Sequence, residues 1–104
     1  YSVYLIRKDG RGIGYLTMHK ADQIVLQSLY ILCEYQRQGI GRAAFDFIKA
    51  YCREHGAKFF TCHCVPENLN ARAFYEKMGG EVIRTDLANE EPWQNSVTYR
   101  FAAA

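Results

Sequence analysis

The sequence lacks the features that would place it in a membrane or on a nucleic acid. It has no run of about 18 apolar residues and no charged-then-apolar leader, so we expect neither a membrane span nor a signal peptide. Its 13 lysines and arginines barely exceed its 11 acidic residues, which is too little excess for a nucleic-acid-binding face. We therefore expect a cytoplasmic protein in which any anion site is local.

Cysteine pairs with disulfide or zinc spacing are also lacking. The four cysteines are Cys33, Cys52, Cys62 and Cys64. Their apolar surroundings predict reduced, buried thiols. Cys62 and Cys64 flank His63, but neighbouring strand residues face opposite ways and no second ligand pair exists, so no metal site is expected. No cysteine has an evident activating partner, which leaves covalent catalysis unsupported.

Repeats, low-complexity tracts and linkers are absent, so residues 1–104 are expected to form one domain. Hydrophobic residues make up 49% of the chain, enough for a core without disulfides. Alternation predicts strands at about 3–8 and 12–20, joined by Asp9-Gly10, because both central residues of a type I′ turn need positive φ. A long third strand is expected from Ile24 to Glu34.

Helical and strand patterns alternate in the rest of the chain. Apolar residues recur at helical spacing between Arg37 and His55, and Gly56 is placed to end this helix. Its inward face is expected to comprise Ile40, Ala43, Ala44, Phe47, Ile48 and Tyr51. "KFFTCHCV" predicts a fourth strand, and Asn68 or Asn70 can cap a second helix.

"EVIRT" and "SVTYRF" predict the last two strands, with a polar loop over about 86–95 between them. The inward face of the second helix is expected to include Ala71, Phe74, Tyr75 and Met78. The element order β-β-β-α-β-α-β-β predicts an α/β fold with a mixed sheet. Its first strands would be antiparallel, and both helices would be crossovers between strands.

The loop "YQRQGIG" joins the third strand to the first helix. A strand that turns directly into a helix leaves the first helical N–H groups unpaired, at the positive end of the helix dipole. Gly39 and Gly41 would let a phosphate approach the backbone, and Arg37 and Arg42 would add positive charge. The same glycines would also suit a tight bend without a ligand. The Lys-Ser/Thr pair of a Walker A loop is missing.

Two motifs resemble those of the GNAT superfamily of N-acyltransferases. Residues 36–41 resemble its Gln/Arg-x-x-Gly-x-Gly/Ala loop and follow the typical long strand, here "LYILCEY". "NLNARAFYEKMGG" resembles its later helix, usually Asn-x-x-Ala-x-x-x-Tyr-Glu-Lys-x-Gly-Phe. The resemblance covers about residues 3–101. The family's usual first strand and first two helices have no counterpart ahead of Val3, so an N-terminally incomplete fold of this family is expected.

The resemblance implies acetyl-CoA (coenzyme A) as co-substrate and no metal. The pyrophosphate would lie on the loop amides, and the pantetheine arm would pair with the strand before the loop. The residues implied at this site are Leu29, Tyr30, Ile31, Gln36, Arg37, Gln38, Gly39, Ile40, Gly41, Arg42, Asn68 and Tyr75. Asn68 could contact the pantetheine arm or a bridging water, or simply cap its helix.

The resemblance also implies direct acetyl transfer to a primary amine in a ternary complex. Tyr75 would be the general acid that protonates the CoA sulfur, and a core aromatic is its alternative role. His63 would be the base, since imidazole titrates near neutrality, or else a partly buried histidine with a satisfied hydrogen bond. Glu34, near the point where the third strand separates, is the competing base. The N–H of Ile31 would stabilise the oxyanion.

The sequence says least about the acceptor. Glu90, Glu91 and Trp93 lie in the loop before the last strand and could attract an ammonium group, or could simply be solvated. The acceptor amine could belong to a small molecule, a protein N-terminus or a lysine. A regulatory module that binds acyl-CoA without turnover and a toxin-type aminoacyl-tRNA acetyltransferase are the alternatives, and a homodimer stays open.

Overall fold

The computed structural model describes residues 2–20, 22–87, 91 and 95–103. Within these residues, six strands and two helices follow one another in the expected order. They are β1 (Ser2–Lys8), β2 (Arg11–Lys20), β3 (Ile24–Ile31), α1 (Ile40–Glu54), β4 (Phe59–Cys64), α2 (Leu69–Lys77), β5 (Glu81–Asp86) and β6 (Ser96–Ala102). A single turn of 3-10 helix spans Cys33–Tyr35. The strands form one sheet in the order β1-β2-β3-β4-β6-β5.

The sheet is mixed, as predicted. β1 and β2 form a hairpin whose turn residues Asp9 and Gly10 both have positive φ, 52° and 80°. β3 and β4 are parallel, whereas the other neighbouring strands are antiparallel. Within the described residues, neither helix is an apolar segment of membrane-spanning length.

The parallel strands β3 and β4 pair over only three residues each. Their pairing runs from Ile24 and Phe60 to Leu26 and Cys62. Beyond that point β3 remains paired with β2, and β4 remains paired with β6. Gln27 lies between residues that pair with adjacent positions of β2, so it forms a β-bulge where β3 leaves β4. A gap therefore opens between the second half of β3 and the end of β4.

Both helices cover the same face of the sheet. The ring of Phe45 in α1 lies 5.5 Å from Phe60 and 4.9 Å from Phe101 in the sheet, and 5.4 Å from Phe74 in α2. These contacts are edge-to-face, the arrangement that aromatic rings favour. Phe45 is therefore the point where the two helices and the sheet meet.

The predicted inward face of α1 was partly wrong. Its buried residues are Ala44, Phe45, Ile48 and Cys52. Ala43 and Phe47 are exposed instead, and Phe47 contacts Tyr4 at the edge of the sheet, with ring centroids 4.9 Å apart. Two overlapping apolar stripes run along this helix, and packing selects the one that contains Phe45. Gly56 follows the helix with a φ of 72°, as expected.

The third strand is shorter than predicted. β3 ends at Ile31, and the N–H of Tyr35 donates to the carbonyl of Leu32 (2.9 Å) to close the 3-10 turn. Glu34 lies in this exposed turn, well past the end of β3–β4 pairing, so its expected place near the strand separation is wrong. The same turn leaves Cys33 exposed, contrary to the expectation of buried thiols.

Candidate functional site

A cleft of about 680 Å³ opens between the loop before α1 and one side of α2. It is lined by Leu29, Ile31, Gln36, Arg37, Gly39, Gly41, Arg42, Asn70, Ala73, Phe74, Lys77 and Met78. The residues from β3, the loop and α1 were expected at a binding site, whereas those from α2 were not. The α2 residues recur at the spacing of one helical face, so this second stripe was readable in the sequence.

Positive charge dominates the cleft. Its charged lining residues are Arg37, Arg42 and Lys77, and no carboxylate is among the described residues that line it. The N–H of Ala43 donates to the carbonyl of Gly39 (3.0 Å), so the amides just before Ala43 have no partner within the helix. The positive end of the α1 dipole adds to these three cations, and the cleft suits a phosphorylated ligand.

Side chains of the loop hold its own backbone in place. The amide of Gln36 donates to the carbonyl of Ile31 (2.9 Å), and the amide of Gln38 donates to the carbonyl of Glu34 (3.0 Å). Lys8 donates from β1 to the side-chain oxygen of Gln38 (3.0 Å). Gln38 is thus a support of the loop and does not line the cleft.

The two loop positions require glycine for different structural reasons. Gly39 has a φ of 81°, a left-handed conformation that disfavours a side chain, and a Cβ there would meet open space. A Cβ on Gly41 would instead lie 2.8 Å from the ring of Phe74. The expectation that Gly41 serves to admit a phosphate was therefore incomplete, because its missing side chain lets α1 approach α2.

Tyr75 lies behind the cleft and not among its lining residues. Its half-buried ring stacks on Phe45, with centroids 6.4 Å apart, and its hydroxyl lies near the thiol of Cys62. Cys62 is the last β4 residue that pairs with β3. The hydroxyl of Tyr75 therefore lies where the two strands separate.

Burial keeps both side chains protonated. It raises the pKa of Cys62 to about 12, and the nearby hydroxyl of Tyr75 partly offsets this rise. Burial also raises the pKa of Tyr75, and the neighbouring thiols of Cys62 and Cys64 raise it further. At neutral pH the phenol is therefore protonated.

His63 also lies at the point where β3 and β4 separate, but its side chain is on the open face of the sheet, the face opposite α1 and α2. It is exposed, whereas Cys62 before it is buried and Cys64 after it is partly buried, which confirms that His63 points away from both thiols. On the β3 side, the N–H of Leu32 donates to Ile13 of β2 (2.8 Å). Because successive N–H groups of a strand alternate in direction, the N–H of Ile31 points toward the gap.

Several residues expected at the site lie elsewhere. The ring of Tyr30 faces that of Tyr15 on the open side of the sheet, 5.8 Å away, and Ile40 lines a separate groove beside β1. Asn68 caps α2, since its side-chain oxygen accepts a hydrogen bond from the N–H of Ala71 (3.1 Å).

Of the three residues expected at the acceptor side, the structure describes one. Glu91 is exposed, and Glu90 and Trp93 lie outside the described residues. Within the described ranges, no group of three or more His, Cys, Asp or Glu side chains is placed to hold a metal ion.

Known proteins share this sequence pattern and this fold. The profile of the Acetyltransferase (GNAT) family matches residues 1–80. No curated protein sequence is significantly similar to the chain.

Solved structures with the same fold include Ard1 from Thermoplasma volcanium, with a TM-score of 0.77 at 20% identity over 90% of this chain and 65% of that one. The ribosomal-protein-S18-alanine N-acetyltransferase from Escherichia coli has a TM-score of 0.81 at 18% identity, over 100% of this chain and 70% of that one.

A GNAT family acetyltransferase from Elizabethkingia anophelis with acetyl-CoA bound has a TM-score of 0.83 at 14% identity, over 96% of this chain and 74% of that one. At such identities the likeness shows the fold alone, and it confirms the mixed sheet with two helices as part of the GNAT fold. The chain spans less than two thirds of the Ard1 chain.

Proposed function

The chain belongs to the GNAT family of acetyltransferases, and from that premise we propose that it transfers the acetyl group of acetyl-CoA to a primary amine. The observation that carries this proposal is the place of Tyr75. Its hydroxyl lies where β3 and β4 separate, and the second half of β3 also forms a wall of the basic cleft. A donor bound in the cleft would therefore bring its reacting end to a protonated phenol.

Charge and backbone geometry support acetyl-CoA as the donor. CoA carries a pyrophosphate and a ribose 3′-phosphate, which match the unpaired amides at the start of α1 and the three cations of the cleft. The arm would pair with β3 along Leu29 and Ile31, where β4 leaves the strand edge free. The similar Elizabethkingia protein was solved with acetyl-CoA bound, which supports the same choice here.

The chemistry proposed is a single displacement. A neutral amine attacks the thioester carbonyl, the C–N bond forms, and the oxyanion accepts a hydrogen bond from the N–H of Ile31. When the C–S bond breaks, Tyr75 gives its proton to the departing thiolate. His63, on the open face beside the gap, takes the proton that the amine loses, directly or through water. Its position makes it a better base than Glu34, which lies in the exposed 3-10 turn.

The acceptor is proposed only as a primary amine that reaches the gap from the open face of the sheet. The loop with Glu90, Glu91 and Trp93 stays a candidate for attracting its ammonium form. Acceptor profiling of a Glu90→Gln/Glu91→Gln variant tests this role. A change in selectivity supports it, and an unchanged profile removes it.

The proposed function is tested by pairing acetyl-CoA titration calorimetry with an assay of CoA release. The amine panel comprises polyamines, peptides with a free N-terminus, and N-terminally blocked peptides with one lysine. Saturable binding, with CoA release for one of these classes, is the expected result. Aminoacyl-tRNA is assayed as a separate acceptor. Binding without release from any acceptor would favour the regulatory module, and release only with aminoacyl-tRNA would favour the toxin-type enzyme.

A further inference from the structure

The buried hydroxyl of Tyr99 is held between two charged side chains of α2. Tyr99 lies on β6 and is 0% exposed. Its hydroxyl donates to the carboxylate of Glu76 (2.7 Å) and accepts from Nε of Arg72 (3.1 Å). Arg72 and Glu76 are four residues apart, so they lie side by side on one face of the helix. The phenol thus uses its single proton and also accepts a hydrogen bond.

These hydrogen bonds matter because α2 is held to the sheet by one side only. None of its nine residues is fully buried, although Phe74 and Tyr75 pack against the core. The hydrophobic driving force is itself non-directional. Hydrogen bonds to charged groups are directional and stronger than neutral ones. The contacts of Tyr99 therefore add a directional restraint on the rotation of α2 on the sheet.

Tyr75 is the residue whose place depends most on that rotation. It precedes Glu76 in the helix, and its ring centroid is 5.5 Å from that of Tyr99. Cys62, near the hydroxyl of Tyr75, is the cross-strand partner of Tyr99. One pair of residues across β4 and β6 thus lies against both the helix and the ring of Tyr75.

We propose that Arg72, Glu76 and Tyr99 form a positioning network that holds the hydroxyl of Tyr75 against Cys62, at the gap between β3 and β4. The importance of this network for turnover rests on the proposed function, in which Tyr75 is the proton donor. A displacement of about 1 Å of such a group can cost about 100-fold in rate. None of the three residues lines the cleft, so they act through Tyr75.

Thiol alkylation tests the geometry without any turnover. Cys62 is 2% exposed under α2, and Cys52 of α1 is 0% exposed, so both should resist N-ethylmaleimide in the parent protein. In Tyr99→Phe, which keeps the ring, we expect Cys62 to react about tenfold faster and Cys52 to react at the parent rate, because local opening costs less. Mass spectrometry of the labelled peptides measures both rates.

Two further variants probe the network from the side of α2. Glu76→Gln and Arg72→Met should also speed the labelling of Cys62, whereas Tyr51→Phe, on α1, is the matched control and should not. Unchanged protection of Cys62 in Tyr99→Phe would overturn the proposal. So would a parallel rise at Cys62 and Cys52, because that result means a loss of global stability.

A double-mutant cycle tests the consequence for catalysis. With the fastest amine of the panel, Tyr99→Phe should lower kcat about 10- to 100-fold while the Kd of acetyl-CoA changes less than about twofold. In a Tyr75→Phe background the same change should have little effect, because both residues act through one hydroxyl. An equal factor in both backgrounds would overturn the positioning role. If Tyr75→Phe had the kcat of the parent, the role of Tyr75 as proton donor would be overturned. The alkylation rates would still test whether the network holds α2 over Cys62.

Discussion

The ring of Phe74 in α2 lies so close to Gly41 of α1 that a Cβ at position 41 would be only 2.8 Å from it. Phe74 also packs against Phe45, with ring centroids 5.4 Å apart, and forms part of the cleft wall. The close approach of the two helices and the shape of the cleft therefore depend on the same missing side chain.

Gly41→Ala should lower the free energy of unfolding by about 1–3 kcal/mol, because its methyl group must displace the ring of Phe74. Urea unfolding measures this loss. Adding Phe74→Leu should make the double variant more stable than the sum of the two single changes predicts. Gly39→Ala is the matched control, since its strain comes from a φ of 81° and not from a neighbour. If Phe74→Leu restored as much stability to Gly39→Ala as to Gly41→Ala, the packing explanation would be contradicted.

Tyr75→Phe should lower kcat by about 10²- to 10⁴-fold, the usual contribution of a general acid, and should leave acetyl-CoA affinity within about twofold. Affinity is spared because Tyr75 does not line the cleft. Initial rates and titration calorimetry measure the two quantities, with the exposed Tyr15→Phe as control. Turnover like that of the parent at several pH values would show that Tyr75 is not the acid.

His63→Gln should lower kcat/KM by about 100-fold, because the attacking amine then loses its proton acceptor beside the gap. Glu34→Gln should leave kcat/KM unchanged, since Glu34 lies in the exposed 3-10 turn away from the strand separation. Initial rates of the two variants with the fastest amine distinguish the candidate bases. If Glu34→Gln were the variant that loses activity, the assignment would be reversed.

Lys77→Gln should weaken acetyl-CoA binding about fivefold, as expected for the loss of one partly screened charge near a phosphate. Raising the salt concentration should shrink this difference. Acetyl-pantetheine, which lacks the nucleotide, should bind both proteins equally. Lys58→Gln is the control, because Lys58 is exposed and is not among the cleft residues. A similar loss for acetyl-pantetheine would mean that Lys77 acts on the cleft's shape and not on the phosphates.

Stability at alkaline pH should depend on Cys62. Burial raises the pKa of its thiol from 9.0 to about 12. Below pH 9 the thiol is protonated in both states, but above it the unfolded chain releases a proton that the folded protein keeps. The free energy of unfolding should then fall by up to about 1.4 kcal/mol per pH unit from Cys62. Cys52 and Cys64, whose thiol pKa values burial also raises, add to this fall, and above pH 10 so does Tyr75.

Urea unfolding at pH 8, 9 and 10 checks this slope. Cys62→Ser should show a shallower fall between pH 9 and 10, because serine does not ionise in this range, whereas Cys33→Ser, at an exposed position, should match the parent. An identical slope for the parent and Cys62→Ser would show that burial does not hold this thiol protonated.

The loop side of the cleft was predicted from the sequence. The stripe on α2 was readable as one helical face, but its place in the cleft was not. Residues 36–42 are contiguous, and Gly39 carries its own local explanation in a positive φ. Phe74 and Lys77 enter the cleft only because α2 packs beside the start of α1. Glu34 was misplaced because the apolar alternation of β3 continues past Ile31 without a glycine or proline, although the backbone there closes a 3-10 turn.

The sequence by itself determined the order of the elements and the Asp9-Gly10 turn, and it narrowed the cap of α2 to Asn68 or Asn70, because periodicity, turn preference and capping act over a few residues. Only the tertiary structure decided that β3 leaves β4 after Leu26, that Gly41 makes room for Phe74, and that Tyr99 holds α2. Each of these depends on contacts between residues far apart in the chain, and packing selects such contacts from several that local pattern permits.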